Sequence, residues 1–131
     1  MAEATKDWYA LRNAVYAGEL ADAEQLLKAN PTLLTTTNGI GETVLHFLAV
    51  ENDIKGVAWL RTRDFDVNTK NQFGTPVVFE VAQLEYKELF LWLAANGSDL
   101  RTRDAKNADI FEYLSEYGKT EMAEWVKQHV T

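Results

Sequence analysis

The sequence predicts an all-α fold in which one helix–turn–helix unit is repeated four times, and three observations carry that expectation. Trp59, Trp92 and Trp125 recur at intervals of 33 residues, each opening an apolar pair with Leu60, Leu93 or Val126. Leu26-Leu27 holds the same slot one period earlier. Gly41 and Gly74 repeat at the same interval of 33, and Asn107 continues the series. A fixed period of this length marks one supersecondary unit copied along the chain, each copy burying its apolar face against the next. The units run over residues 5–36, 37–70, 71–103 and 104–131. No linker or low-complexity run separates them, so one domain over 1–131 is expected.

Helices are expected near 8–17, 20–29, 43–51, 54–62, 76–84, 87–95, 109–116 and 120–129. In the first unit, Leu11, Ala14, Val15 and Gly18 follow helical spacing, and Leu20 to Asn30 continues it after a break at Gly18. Asn30-Pro31 ends the second helix, because the residue before proline is pushed out of the α region. Thr43 is the expected N-cap of the third helix. Thr75-Pro76 reads as an N-cap followed by proline at the first helical position. Gly97 stands where a left-handed residue stops the outer helix, and Asp64 occupies that slot one repeat earlier.

Composition narrows the function. At 131 residues the chain is long enough to bury a core, and with 47% apolar and 25% charged residues it is of ordinary globular make-up. It has no cysteine, which excludes disulfides, thiol nucleophiles and cysteine-ligated metals. The first residues lack a basic region followed by an apolar run, and no stretch approaches the ~20 apolar residues of a membrane span. The expectation is therefore a soluble, cytoplasmic protein that does not bind membrane. A net charge of −7 disfavours nucleic acid and mildly favours a basic protein partner.

The stretch Gly41-Glu-Thr-Val-Leu-His46-Phe-Leu-Ala49 resembles the ankyrin repeat, whose pattern here is G-x-T-P-L-H-x-A-A. Asp66-Val67-Asn68 and Ala95-Asn96-Gly97-Ser98-Asp99-Leu100 match the same family further along the unit. The resemblance covers about residues 5–130 and implies a stack of antiparallel helix pairs with hairpin turns projecting from it. There are departures: Pro76 stands at the Thr43 slot, and Phe79 and Glu112 replace the histidine. The first and last units read as caps that turn one polar face to water.

No catalytic constellation is found in the residues, so no enzyme activity, cofactor or metal is expected. His46 and His129 are the only histidines, and the repeat slot of His46 offers no carboxylate or second histidine, so His46 reads as a structural residue. Glu42, Glu51, Glu80, Glu85, Glu112 and Glu116 read as a solvated face. The repeated tryptophans read as core, with Trp92, flanked by repeats on both sides, expected to be costlier to truncate than Trp125; Trp8 is placed over the open end of the first unit. Arg61-Thr-Arg63-Asp64 and Arg101-Thr-Arg103-Asp104 are 40 apart rather than 33, which makes them unrelated in register.

What the resemblance implies about function is a non-catalytic module that binds a protein partner through hairpin tips and the inner-helix face. Mapped by register, the tips are Ile40, Lys70, Gln72, Phe73, Arg103, Ala105 and Lys106. The inner-helix positions are Glu42, Val50, Glu51, Thr75, Gln83, Leu84, Glu116 and Tyr117. Phe73, Leu84 and Tyr117 are apolar or aromatic groups at slots expected to be exposed, the type that supplies binding hot spots. The chain is expected to be a monomer. The alternative is an antagonist or immunity-type protein that blocks a co-encoded, basic enzyme or toxin.

Overall fold

The computed structural model describes residues 3–130, with side chains from residue 5 onward. The expected domain ends, Met1 and Thr131, lie outside the described residues. Those described residues form eight α-helices and no strand: α1 (Glu3–Tyr16), α2 (Leu20–Ala29), α3 (Val44–Val50), α4 (Ile54–Thr62), α5 (Val77–Gln83), α6 (Lys87–Ala95), α7 (Ile110–Glu116) and α8 (Thr120–Val130). A 3₁₀ turn over Pro31–Leu34 follows α2 and buries Leu33. The expected bounds hold within one residue except at the start of α1, which begins at Glu3 rather than near residue 8. There Asp7 accepts a hydrogen bond from Asn30 Nδ2 at 3.2 Å, tying the added turn to the end of α2.

Consecutive helices pair: α1 with α2, α3 with α4, α5 with α6, and α7 with α8. The first helix of each pair packs on the first helix of the next, so α1, α3, α5 and α7 form one inner row. One apolar core runs through all four pairs, from Trp8 and Leu11 to Met122 and Val126. Its burial is the main force holding the pairs together, because 7- to 9-residue helices are marginal on their own.

Helices α3 to α7 each stop at a residue in the left-handed region, whereas α2 ends at Asn30 with φ −140°. Asn52 (φ 59°), Glu85 (φ 62°) and Gly118 (φ 71°) follow α3, α5 and α7. Asp64 (φ 71°) and Gly97 (φ 106°) follow α4 and α6, as their shared repeat slot predicts. At the starts, the Thr43 side chain accepts from the His46 N–H, and Asp109 forms a capping box with Glu112. The third unit departs from expectation. Pro76, not Thr75, is the N-cap of α5, and no side chain caps it. Pro76 shares a register with Thr43 and Asp109, so the spacing of the repeat overrides the local Thr-Pro start signal.

The tryptophans also differ from expectation. Leu60, Leu93 and Val126 are fully buried, whereas Trp59, Trp92 and Trp125 are only half-buried. Neighbouring residues on a helix point about 100° apart, so only one of each pair can face the inner row. The aliphatic residue does, and the indole lies along the flank. Trp125 meets Phe90 of α6 edge-on at 5.8 Å and stacks on His129, while the Arg63 guanidinium lies 5.0 Å from the Trp59 ring. The one fully buried tryptophan is Trp8.

Candidate functional site

The three hairpin turns that precede α3, α5 and α7 share one construction. In each, an Asn or Asp oxygen accepts two backbone N–H groups: Asn38 from Ile40 and Glu42, Asn71 from Phe73 and Thr75, and Asp104 from Lys106 and Ala108. The backbone closes the same loop each time, with Asn38, Asn71 and Asp104 donating to the carbonyls of Glu42, Thr75 and Ala108. Gly41, Gly74 and Asn107 take a left-handed φ of 78°, 77° and 64° at its corner. The spacing of 38, 71 and 104 is the repeat period, a signal present in the sequence but not used in assigning the turns.

The turns stack on one another, which explains why only the last lacks glycine. A Cβ on Gly41 would fall 2.5 Å from the Gln72 backbone nitrogen, and one on Gly74 would fall 2.7 Å from the Ala105 Cβ. Gln72 N–H donates across to the Ile40 carbonyl at 3.0 Å, and Lys70 Nζ reaches the Arg103 carbonyl at 3.0 Å. The third turn ends the series, so Asn107 can adopt the left-handed conformation with a side chain.

This stacking places two rows of side chains on the inner side. Ile40, Phe73 and Lys106 stand one repeat apart at the turn tips, and Phe73 is 63% exposed. Glu51, Leu84 and Tyr117 stand one repeat apart at the far ends of α3, α5 and α7, and Tyr117 is 53% exposed. The Lys106 ammonium reaches Glu116 at 3.0 Å, so one lysine spans from a tip to the end of α7. The hydrogen bond and charge of Glu116 raise the Lys106 pKa.

Other expected site residues are engaged. Arg103 donates to the Asn107 carbonyl at 2.8 Å and lies 3.5 Å from Glu112. Gln83 is half-buried and accepts from the Tyr113 hydroxyl at 2.8 Å; Thr75 is half-buried inside its turn. Burial of the Tyr113 phenol, with Tyr117 and Glu80 nearby, pushes its pKa well up. Val50 is half-buried, and its carbonyl accepts from the Tyr86 hydroxyl at 3.0 Å.

Glu42 was expected on the surface and is buried, only 4% exposed. Its carboxylate accepts from Asn38 Nδ2 at 3.0 Å, and its carbonyl accepts from the Trp8 indole at 3.0 Å. Trp8 thus closes over Glu42 rather than over an open end. The expectation that His46 has no carboxylate nearby also fails. Its Nε2 lies 2.7 Å from Glu80 Oε1 and 3.9 Å from Glu42 Oε2, while its buried Nδ1 has no partner. Glu80 belongs to the next unit, 34 positions on, so stacking makes a contact invisible within one repeat.

An apolar groove of about 420 Å³ lies on the last helix pair, between Phe111, Ser115, Thr120, Ala123, Glu124 and Lys127. The terminal unit is therefore less polar on its outer side than a cap is expected to be. No helix among the described residues is long and apolar enough to cross a membrane. No protein-family model matches the chain, and no curated protein matches it.

Proposed function

We propose that the chain is an ankyrin-like repeat protein, a monomeric, non-catalytic module that binds a protein partner on the face formed by its turn tips and inner helices. The observation that carries this reading is the exposure of Phe73 at a turn tip and of Leu84 and Tyr117 one repeat apart at the ends of α5 and α7. A folded chain gains by burying such apolar groups, and exposed ones set among polar groups are the usual anchors of a protein interface. The ankyrin-like part of the reading is supported by eight helices in four successive pairs, with one turn construction recurring at the repeat period.

The face is less acidic than its sequence suggests. Glu42 is buried and Glu116 is paired with Lys106, which leaves Glu51 as the exposed acid at the end of the inner row. Partner choice therefore rests more on the aromatic groups than on attraction to a basic surface.

The test is affinity capture with three proteins: the parent, the double variant Phe73→Ala/Tyr117→Ala, and Lys87→Glu on the outer row. The expected result is a protein partner held by the parent and by Lys87→Glu but lost by the double variant. Retention by the double variant together with loss by Lys87→Glu would place the site on the opposite, outer face.

A further inference from the structure

We propose that Glu42, His46 and Glu80 bind one divalent metal ion of the zinc class, which clamps the second repeat unit to the third. The three side chains offer one imidazole nitrogen and two carboxylates whose ligating atoms lie within 4.8 Å of one another. Glu42 sits just before α3, His46 in its first turn, and Glu80 in the first turn of α5, so the donors come from two units. Glu42 and His46 are 4% and 0% exposed, held by the apolar core around them.

The donors lie near the spacing that a tetrahedral ion needs, without matching it. Zinc bonds of ~2.0–2.1 Å to nitrogen and oxygen separate adjacent ligand atoms by roughly 3.3 Å. His46 Nε2 is 2.7 Å from Glu80 Oε1 and 3.9 Å from Glu42 Oε2, one shorter and one longer than that separation. To reach it, the His46–Glu42 pair must close and the His46–Glu80 pair must open, each by roughly 0.6 Å, so both carboxylates must adjust around the ion. Glu80 remains 21% exposed at its side chain, which leaves a path for the ion and room for water as a fourth ligand.

Charge balance favours the same occupant. Two carboxylates around one imidazole leave a net negative charge whether or not His46 is protonated, and uncompensated charge is costly where water is excluded. A dication with a neutral imidazole brings the total to zero. Each carboxylate is also oriented by an amide: Asn38 Nδ2 donates to Glu42 Oε1, the oxygen turned from His46, and Asn71 Nδ2 donates to Glu80 Oε1, the oxygen that faces His46, both at 3.0 Å. Such outer hydrogen bonds hold ligands in position for a metal. With one nitrogen, two carboxylates and no sulfur, the donor set suits zinc and its neighbours better than magnesium or calcium, which take oxygen donors alone. Binding at Nε2 moves the imidazole proton to Nδ1, which has no acceptor, and this limits the affinity.

The full chain, freed of metal with EDTA, is titrated with Zn²⁺ by calorimetry and with Co²⁺ by visible absorption. The expected result is one ion per chain, a tetrahedral Co²⁺ spectrum displaced by Zn²⁺, and a higher Tm with Zn²⁺. Glu80→Gln and Glu42→Gln each weaken binding by at least ~10-fold, the lower range for disturbing even an outer-shell partner. His129→Gln, at a distant surface histidine, binds as the parent does. Glu80→Gln keeps an oxygen to accept from His46, and a melt of the EDTA-treated variant checks its fold. Should that variant melt early, Glu42→Gln decides, because Glu42 Oε2 is 3.9 Å from His46 and beyond hydrogen-bond range. Absence of saturable binding by the parent, or equal binding by a folded variant, overturns the site and leaves His46 and Glu80 as a hydrogen-bonded pair only.

Discussion

The Trp8 indole N–H donates to the Glu42 carbonyl across 3.0 Å, joining α1 to the turn of the second unit 34 positions away. The Trp8 ring is fully buried, with the half-buried Phe47 edge-on to it at 5.5 Å. Truncating Trp8 therefore removes a large core side chain and one of the two hydrogen bonds to the Glu42 carbonyl, which keeps only that from the Asn38 N–H.

Trp8→Ala should be the most destabilising of the four tryptophan substitutions, at ~3–5 kcal/mol. Trp92→Ala, at a half-buried flank, should fall in the ordinary range of ~0.5–3 kcal/mol. Urea melts of the two variants compare them directly. A larger loss at Trp92 would mean that the outer flank, not the α1 junction, limits stability.

Gly41 and Asn107 occupy the same corner of the turn, yet their substitutions should differ. Asparagine tolerates the left-handed conformation, so Gly41→Asn isolates the clash with Gln72 from backbone strain. It should cost ~1–3 kcal/mol, as overpacking does, whereas the reverse change Asn107→Gly should stay within about 0.5 kcal/mol. Thermal melts with equal losses for both would show that the turns do not stack closely.

Phe73→Ala and Tyr117→Ala should each weaken partner binding by at least ~1–2 kcal/mol while leaving folding nearly unchanged. Glu51→Gln should act mainly on the association rate and its salt dependence, as a rim charge does. Titration calorimetry with the captured partner gives the first effect, and stopped-flow at two salt concentrations gives the second.

Two exposed ion pairs make opposite pH predictions. The hydrogen bond and charge of Lys119 lower the Glu85 pKa, so its small contribution is present above the usual glutamate range and lost as pH falls through the folded value. The pKa of Lys106 is raised by Glu116, so its contribution is present at neutral pH and lost as pH rises through the folded value. Side-chain NMR titration should find the Glu85 midpoint below that of the Lys119→Ala variant. Salt should narrow the difference, because both pairs face water.

The sequence by itself determined the eight helices, their order, the capping by Thr43, and the left-handed stops at Asp64 and Gly97. It also determined the exposure of Phe73, Leu84 and Tyr117. These follow from short-range rules of backbone geometry and from a period that copies them along the chain. Only the tertiary structure decided that Leu93 rather than Trp92 enters the core, that Pro76 displaces Thr75 as N-cap, and that Glu42 is buried. The stacking of the turns onto Gly41 and Gly74 and the approach of His46 to Glu80 belong with these. All of them depend on how close one unit lies to the next, a distance set by packing between residues some 33 positions apart. A polar residue buried by a neighbouring repeat keeps the same place in its own helical pattern as one that faces water, so nothing in the local sequence distinguishes the two.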